Sequence, residues 1–242
     1  VRGATMRPGG DGFIMINSGR TLEQATESYA DMTPVEYAPP EDRFERLPRT
    51  AQKLREGGVL KIVMLGDSIV NDTARSGFDR LVDASNPDLR VVKITSVRGS
   101  TGCWHYREED RLQTYALDFT PDLVMIGGIS QRDDLEAIRE CVLEIQESCE
   151  SDVLLMTGPF GRVDPHDASQ WDEILNCSDA YSLGLKTLAD ELDVQFLDIR
   201  QAWAEYVRVE ERPVEEFKRD VVHANDQGEQ ILGRILLQYF TP

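Results

Sequence analysis

The run Val59-Leu60-Lys61-Ile62-Val63-Met64-Leu65, bounded by Gly58 and Gly66, constrains the fold more than any other stretch of the chain. Such a nearly unbroken apolar run suits a strand buried on both faces, the kind found in parallel sheets. Further strands are predicted at 90–95, 123–126, 153–156 and 194–197. Helical spacing separates them, clearest in Leu135, Ile138, Val142, Ile145 and Cys149, and again in Trp171, Ile174, Leu175, Tyr181, Leu185, Leu188 and Leu192. Strands alternating with helices of this length require crossover connections. The expected fold class is therefore α/β, a three-layer α/β/α sandwich around a mainly parallel, five-stranded sheet.

Before this alternation, residues 1–40 carry little periodicity and are broken by Pro8-Gly9-Gly10, Gly12, Pro34 and Pro39-Pro40. They read as a loop-rich arm or the remnant of an upstream domain, with a short strand at Phe13-Ile14-Met15-Ile16 and a short helix after Thr21. Residues 41–242 form the expected main domain. Its first helix is predicted over 41–56, where Phe44, Leu47, Ala51 and Leu54 repeat at helical spacing and Pro48 is the weak point. The last helix opens at Asp226-Gln227-Gly228-Glu229, a capping-box pattern, and presents Ile231, Leu232, Ile235, Leu236 and Tyr239 to the core.

Open α/β sheets place their chemistry at the carboxyl ends of strands, where loops open into a crevice. At that end of the first core strand stands Gly66-Asp67-Ser68, and near the C-terminus stands Asp220-Val221-Val222-His223. A lone serine there is more often a helix cap than a nucleophile, and an Asp before a His is more often a surface turn. Together they carry more weight. A serine hydroxyl attacks when a base takes its proton, and the base works best with a carboxylate fixing its tautomer. Ser68, His223 and Asp220 supply those three groups. His166 in Asp164-Pro165-His166-Asp167 reads as a solvated loop residue.

These motifs resemble the SGNH, or GDSL, hydrolases. Gly66-Asp67-Ser68 is similar to that family's first block, Arg98-Gly99-Ser100-Thr101-Gly102 to its second, and Asp220-Val221-Val222-His223-Ala224-Asn225 to its fourth. The resemblance implies a flavodoxin-like sandwich that hydrolyses esters without a cofactor or metal, with Ser68 as nucleophile, His223 as base and Asp220 as its orienting carboxylate. It also implies an oxyanion hole built from the backbone N–H groups of Ser68 and Gly102. The third block departs from the family's Gly-x-Asn-Asp, since Gly127-Gly128-Ile129-Ser130 offers no Asn side chain. Ser130 is the first candidate for the replacement donor, with Gln131, Arg132 and Asn71 as others.

Around this centre, Asp67, Asn71, Arg98, Trp104, His105, Gln131, Arg132 and Arg162 are the candidate substrate-binding residues. Aromatic rims suit sugar faces and arginines pair with carboxylates, and members of the family deacetylate carbohydrates, so an O-acetylated saccharide is the expected substrate. His105 is equally compatible with packing beside Trp104. Two alternatives stay open, a uronate lyase using His223 for proton abstraction and a carbohydrate-binding protein without catalysis.

The remaining bounds come from charge and cysteine. With 44 acidic and 26 basic residues the net charge is −18, which disfavours nucleic acid as a partner. No stretch approaches the roughly 18 apolar residues of a membrane span. Cys103, Cys141, Cys149 and Cys177 lack CxxC spacing and read as free thiols rather than metal ligands. The chain opens at Val1 without a charged and apolar leader, so a signal peptide or upstream domain is expected to have been removed or to lie outside this sequence. The family resemblance favours a secreted or periplasmic location.

Overall fold

The computed structural model describes residues 12–129, 134–175 and 180–241. Its strands are β1 (Phe13–Ile16), β2 (Gly58–Gly66), β3 (Leu89–Val97), β4 (Leu123–Ile126), β5 (Asp152–Met156) and β6 (Gln195–Leu197). The helices that matter below are α1 (Leu22–Glu27), α2 (Pro48–Glu56), α3 (Ser68–Arg75), α4 (Phe78–Ser85), α5 (Cys103–Tyr106), α6 (Arg111–Tyr115), α7 (Leu135–Ser148), α8 (Ala168–Leu175), α9 (Ala180–Glu191), α10 (Ile199–Glu210) and α11 (Asp226–Phe240). The six strands form one sheet in the order β1-β3-β2-β4-β5-β6. All neighbours are parallel except β1, which runs antiparallel to β3 with Phe13 opposite Val97.

The predicted five strands thus become six, because the strand expected in the N-terminal arm joins the edge of the sheet. Its partner lies some 80 residues away in sequence, beyond the reach of local periodicity. The arm also buries Ala25, Met32 and Val35.

Both faces of the central strands are dry, as the apolar run of β2 requires. Leu60, Ile62 and Met64 face a core shared with α3, α4, α10 and α11, while Val63 and Leu65 face a second core shared with α5, α7 and α9. The same alternation sends Leu123 and Met125 of β4 to one layer and Val124 and Ile126 to the other. Each such fully buried side chain contributes about 1.5–3 kcal/mol.

Three local expectations shift. The helix predicted over 41–56 begins only at Pro48, which takes the first helical position, where its missing N–H costs nothing. The pattern from Trp171 to Leu192 divides into α8 and α9, with residues 176–179 outside the described segments. Finally, Asn225 rather than Asp226 caps α11, accepting from the N–H groups of Gln227 and Gly228. Cys103, Cys141 and Cys149 are free thiols, and Cys177 lies outside the described residues. No helix among the described residues is long and apolar enough to cross a membrane.

Candidate active site

Without β1, the strand order reduces to β3-β2-β4-β5-β6, the flavodoxin-like order whose ligand crevice opens between the first and third strands. Here those strands are β2 and β4, in register at Leu65 and Ile126, with β3 ending beside β2 at Val97. The loops carrying Ser68, Gly102 and Ile129 therefore leave the sheet side by side.

The turn after β2 is tightly determined. Gly66 has φ +157, and a Cβ there would lie 2.5 Å from Val70 Cγ2 and 2.6 Å from the Gly127 carbonyl oxygen. That carbonyl-lined approach admits only glycine. The carbonyl of Gly66 accepts from the Tyr106 hydroxyl at 2.6 Å and from the Arg98 N–H at 3.0 Å, which ties the β3 loop to the turn. Asp67, only 1% exposed, caps α3 by accepting from the Ile69 N–H at 2.8 Å. Its second oxygen accepts from the Ile129 N–H at 3.0 Å. Gly128, with φ +101, makes room for this contact, since a Cβ there would fall 2.4 Å from Asp67 Oδ1. Burial pushes the Asp67 carboxyl up to about 6 against the pull of these N–H donors. Asp67 is thus a buried cap and not the substrate-binding residue expected. Its capping leaves the N–H of Ser68, the first helical residue, without an intrahelical acceptor.

Ser68 Oγ lies 2.9 Å from His223 Nε2, and His223 Nδ1 lies 2.8 Å and 3.0 Å from the two carboxylate oxygens of Asp220. The Asp220 Oδ1 also accepts from the N–H groups of Val222 and His223, each at 2.9 Å. Burial works against the Asp220 charge, but these N–H groups and the imidazole outweigh it and hold the carboxyl down at about 2. An ionised Asp220 only accepts, so His223 Nδ1 carries the proton and Nε2 accepts from the Ser68 hydroxyl. The arrangement can deprotonate Ser68 and stabilise the resulting imidazolium.

The other expected residues divide. Asn71 sits half-buried on the first turn of α3, and exposed Arg162 lines a cleft of about 680 Å³ that adjoins Asp220 and Val221 and also holds Lys218 and Glu215. Burial holds the Lys218 amine down at about 8. His105 is not a crevice residue: it is 6% exposed, packs edge-on against Trp104, Tyr106 and Tyr115, and bonds Arg111 through Nδ1 at 3.1 Å. Trp104 beside it is half-buried and packs against the apolar layer of α5 and α7. His105 is inward because α5 turns its ring into the core directly after Gly102. Arg107 pairs with Glu140 at 3.1 Å. His166, expected as a solvated loop residue, is exposed on a turn, where it also bonds Asp164 and the Val207 carbonyl, each at 3.1 Å. Ser130, Gln131 and Arg132 lie outside the described residues.

Sequence reasoning missed Asp72. It is 1% exposed on α3, accepts from Arg219 at 2.8 Å, and accepts from the Ala224 N–H at 3.2 Å. The only signal was its position one turn after Ser68. Among the described residues no group of His, Cys, Asp or Glu is placed to hold a metal ion.

With this geometry in hand, comparison with known structures identifies the architecture. An acetylxylan esterase from Geobacillus stearothermophilus superimposes with a TM-score of 0.60 at 19% identity, over 76% of this chain and 95% of that one. A two-domain esterase active on acetylated mannans gives 0.63 at 18% identity, over 81% of this chain and 52% of that one. A Parabacteroides merdae protein described as GDSL-like gives 0.58 at 17% identity, over 75% and 95%. The fold is that of the SGNH hydrolases. No protein-family model and no curated protein matches the chain. Within the SGNH fold, the hydrogen-bonded Ser68, His223 and Asp220 occupy the crevice end of the sheet.

Proposed function

We propose that this protein is a serine esterase that removes O-acetyl groups from a carbohydrate. The observation that carries the reading is the unbroken hydrogen-bond chain from Asp220 through His223 to Ser68, placed where loops of β2, β3 and β4 converge. Ser68 Oγ attacks the acyl carbon while His223 Nε2 takes its proton. The oxyanion is held by the N–H groups of Ser68 and Gly102, with a third donor from the loop after Ile129. Collapse breaks the ester C–O bond, and His223 returns the proton to the departing sugar oxygen. Water, deprotonated by His223, then attacks the acyl-enzyme, releasing acetate and restoring Ser68.

The substrate class is supported by the similar structures, one an acetylxylan esterase and another active on acetylated mannans. In the first, catalytic variants replace a serine, a histidine and an aspartate by alanine, the aspartate three positions before the histidine, as Asp220 precedes His223. The test is release of acetate from acetylated xylo- and manno-oligosaccharides and of p-nitrophenol from its acetate ester, with Ser68→Ala beside the unaltered protein. Turnover that persists in Ser68→Ala removes the nucleophile, and with it the proposal.

A further inference from the structure

The loop that carries His223 is anchored in the core at its two ends, where Phe217 and Ala224 are buried, but its middle lies outside the core. It is a short hairpin closed by an antiparallel bridge between Lys218 and Ala224 and by the Arg219 N–H bonding the His223 carbonyl at 3.1 Å. Asp220 and Val221 at its tip are exposed. What fixes the hairpin to the nucleophile's helix is Asp72. One carboxylate oxygen accepts from Arg219 Nη2 at 2.8 Å and the other from the Ala224 N–H at 3.2 Å, so a single side chain grips the hairpin on both sides of His223. Arg219 completes the clamp by donating from Nη1 to the Ala224 carbonyl at 2.7 Å.

Asp72 stands four residues after Ser68 on α3, and side chains so spaced share one helix face. One rigid helix therefore presents the nucleophile and, a turn later, the anchor for the base. A second anion backs the clamp. Glu229 of α11, 1% exposed, has Arg219 at 3.9 Å and Arg75 at 3.4 Å, and pairs with Arg20 of the N-terminal arm. Arg20 in turn holds Asp226 at 2.6 Å. The hairpin is thus held by an ion network that runs from α3 through α11 to the arm.

We infer that Asp72, through Arg219 and the Ala224 N–H, is the positioning residue that sets the distance between His223 Nε2 and Ser68 Oγ. The inference rests on the esterase reading above. Asp72 touches no reacting atom, so its whole effect passes through His223. A displacement of about 1 Å in such a group costs on the order of 10²-fold in rate.

The experiment measures kcat and KM on p-nitrophenyl acetate, and the rate at which a fluorophosphonate labels Ser68, for Asp72→Ala, Arg219→Met, His223→Ala and the double variant Asp72→Ala with His223→Ala. Asp72→Ala should lower kcat about 100-fold and slow labelling in parallel, with KM changed less than about twofold. Arg219→Met, at a half-exposed side chain, keeps the test alive if Asp72→Ala does not fold, and should lose about tenfold. In the His223→Ala background the cost of Asp72→Ala should vanish, because the residue it positions is gone. A further loss in the double variant would mean a general structural role and overturn the inference. Unchanged kcat in folded Asp72→Ala, with Ser68→Ala inactive, would overturn the inference alone. An unaltered protein that neither hydrolyses the ester nor takes the label would take down the esterase reading itself.

Discussion

The two halves of the candidate site are built in different ways. Ser68 is placed by the backbone. It follows a strand buried on both faces, a glycine that no other residue can replace, and a buried capping carboxylate that also grips the neighbouring loop. His223 is placed by side chains, on a hairpin whose tip is exposed and whose hold on α3 is an aspartate and an arginine. The candidate nucleophile is therefore inseparable from folding, whereas the candidate base is adjustable. Substitutions on the two sides should fail differently, one side in stability and the other in rate.

The largest expected effect is the pure rate effect. His223→Ala should lower kcat/KM on an ester substrate by about 10⁴- to 10⁶-fold. Its Tm, followed by circular dichroism, should stay within about 2 °C, because a half-buried side chain beside the exposed tip of the hairpin supports little packing. A large fall in Tm would show that the hairpin belongs to the folding core and erase the contrast. Gly128→Ala is the counterpart on the other side. The new Cβ would meet Asp67 Oδ1 at 2.4 Å in a backbone conformation at φ +101. Strain of roughly 1–3 kcal/mol and overpacking of similar size should lower Tm by about 10 °C. Activity per folded molecule should fall less than in His223→Ala.

The same contrast explains what could be read from the sequence. The strands, the turn at Gly66-Asp67-Ser68 and the Asp220–His223 spacing are local patterns, and each has the expected structure. Contacts between distant segments were not legible. Nothing in the sequence pairs Asp72 with Arg219, 147 positions away, or β1 with β3. Asp67, expected at the substrate, instead satisfies the N–H groups of Ile69 and Ile129 from inside, and the Ile129 contact is another that spans distant segments. His105 was legible only as an alternative, since one helical turn decides whether a ring after Gly102 faces the crevice or the core.

Asp67 offers a finer test, in pH. Burial raises its carboxyl to about 6, above the roughly 3.9 of an unfolded aspartate. Between those values the folded protein binds more protons than the unfolded chain, so stability declines as pH rises from about 4 to about 6. Asp67→Asn removes that titration. The Tm of the unaltered protein minus that of Asp67→Asn should therefore fall by a few degrees across this window and level off above it. A difference that is flat or rising from pH 4 to 6 would mean that the capping carboxylate is not strained by its burial.

The smallest expected effect concerns Ile129, where the sequence departs from the family it resembles. An Asn side chain in the third block would be an oxyanion donor, and gaining one such donor is worth about 100- to 1,000-fold when it points at the oxyanion. In this protein the Ile129 N–H is held by Asp67, and its Cγ2 lies 2.9 Å from where a Cβ on Gly158 would sit. The side chain at position 129 is thus turned against the loop after β5, and the pin at Asp67 resists re-aiming it. Ile129→Asn should change kcat/KM less than about threefold, even though it restores the family's residue type. A gain above tenfold would show instead that the third donor is absent in the unaltered protein and that the loop can deliver a side chain from position 129. It would also bring the backbone-built side of the site closer to the adjustable one, since a single side chain there would then govern the rate.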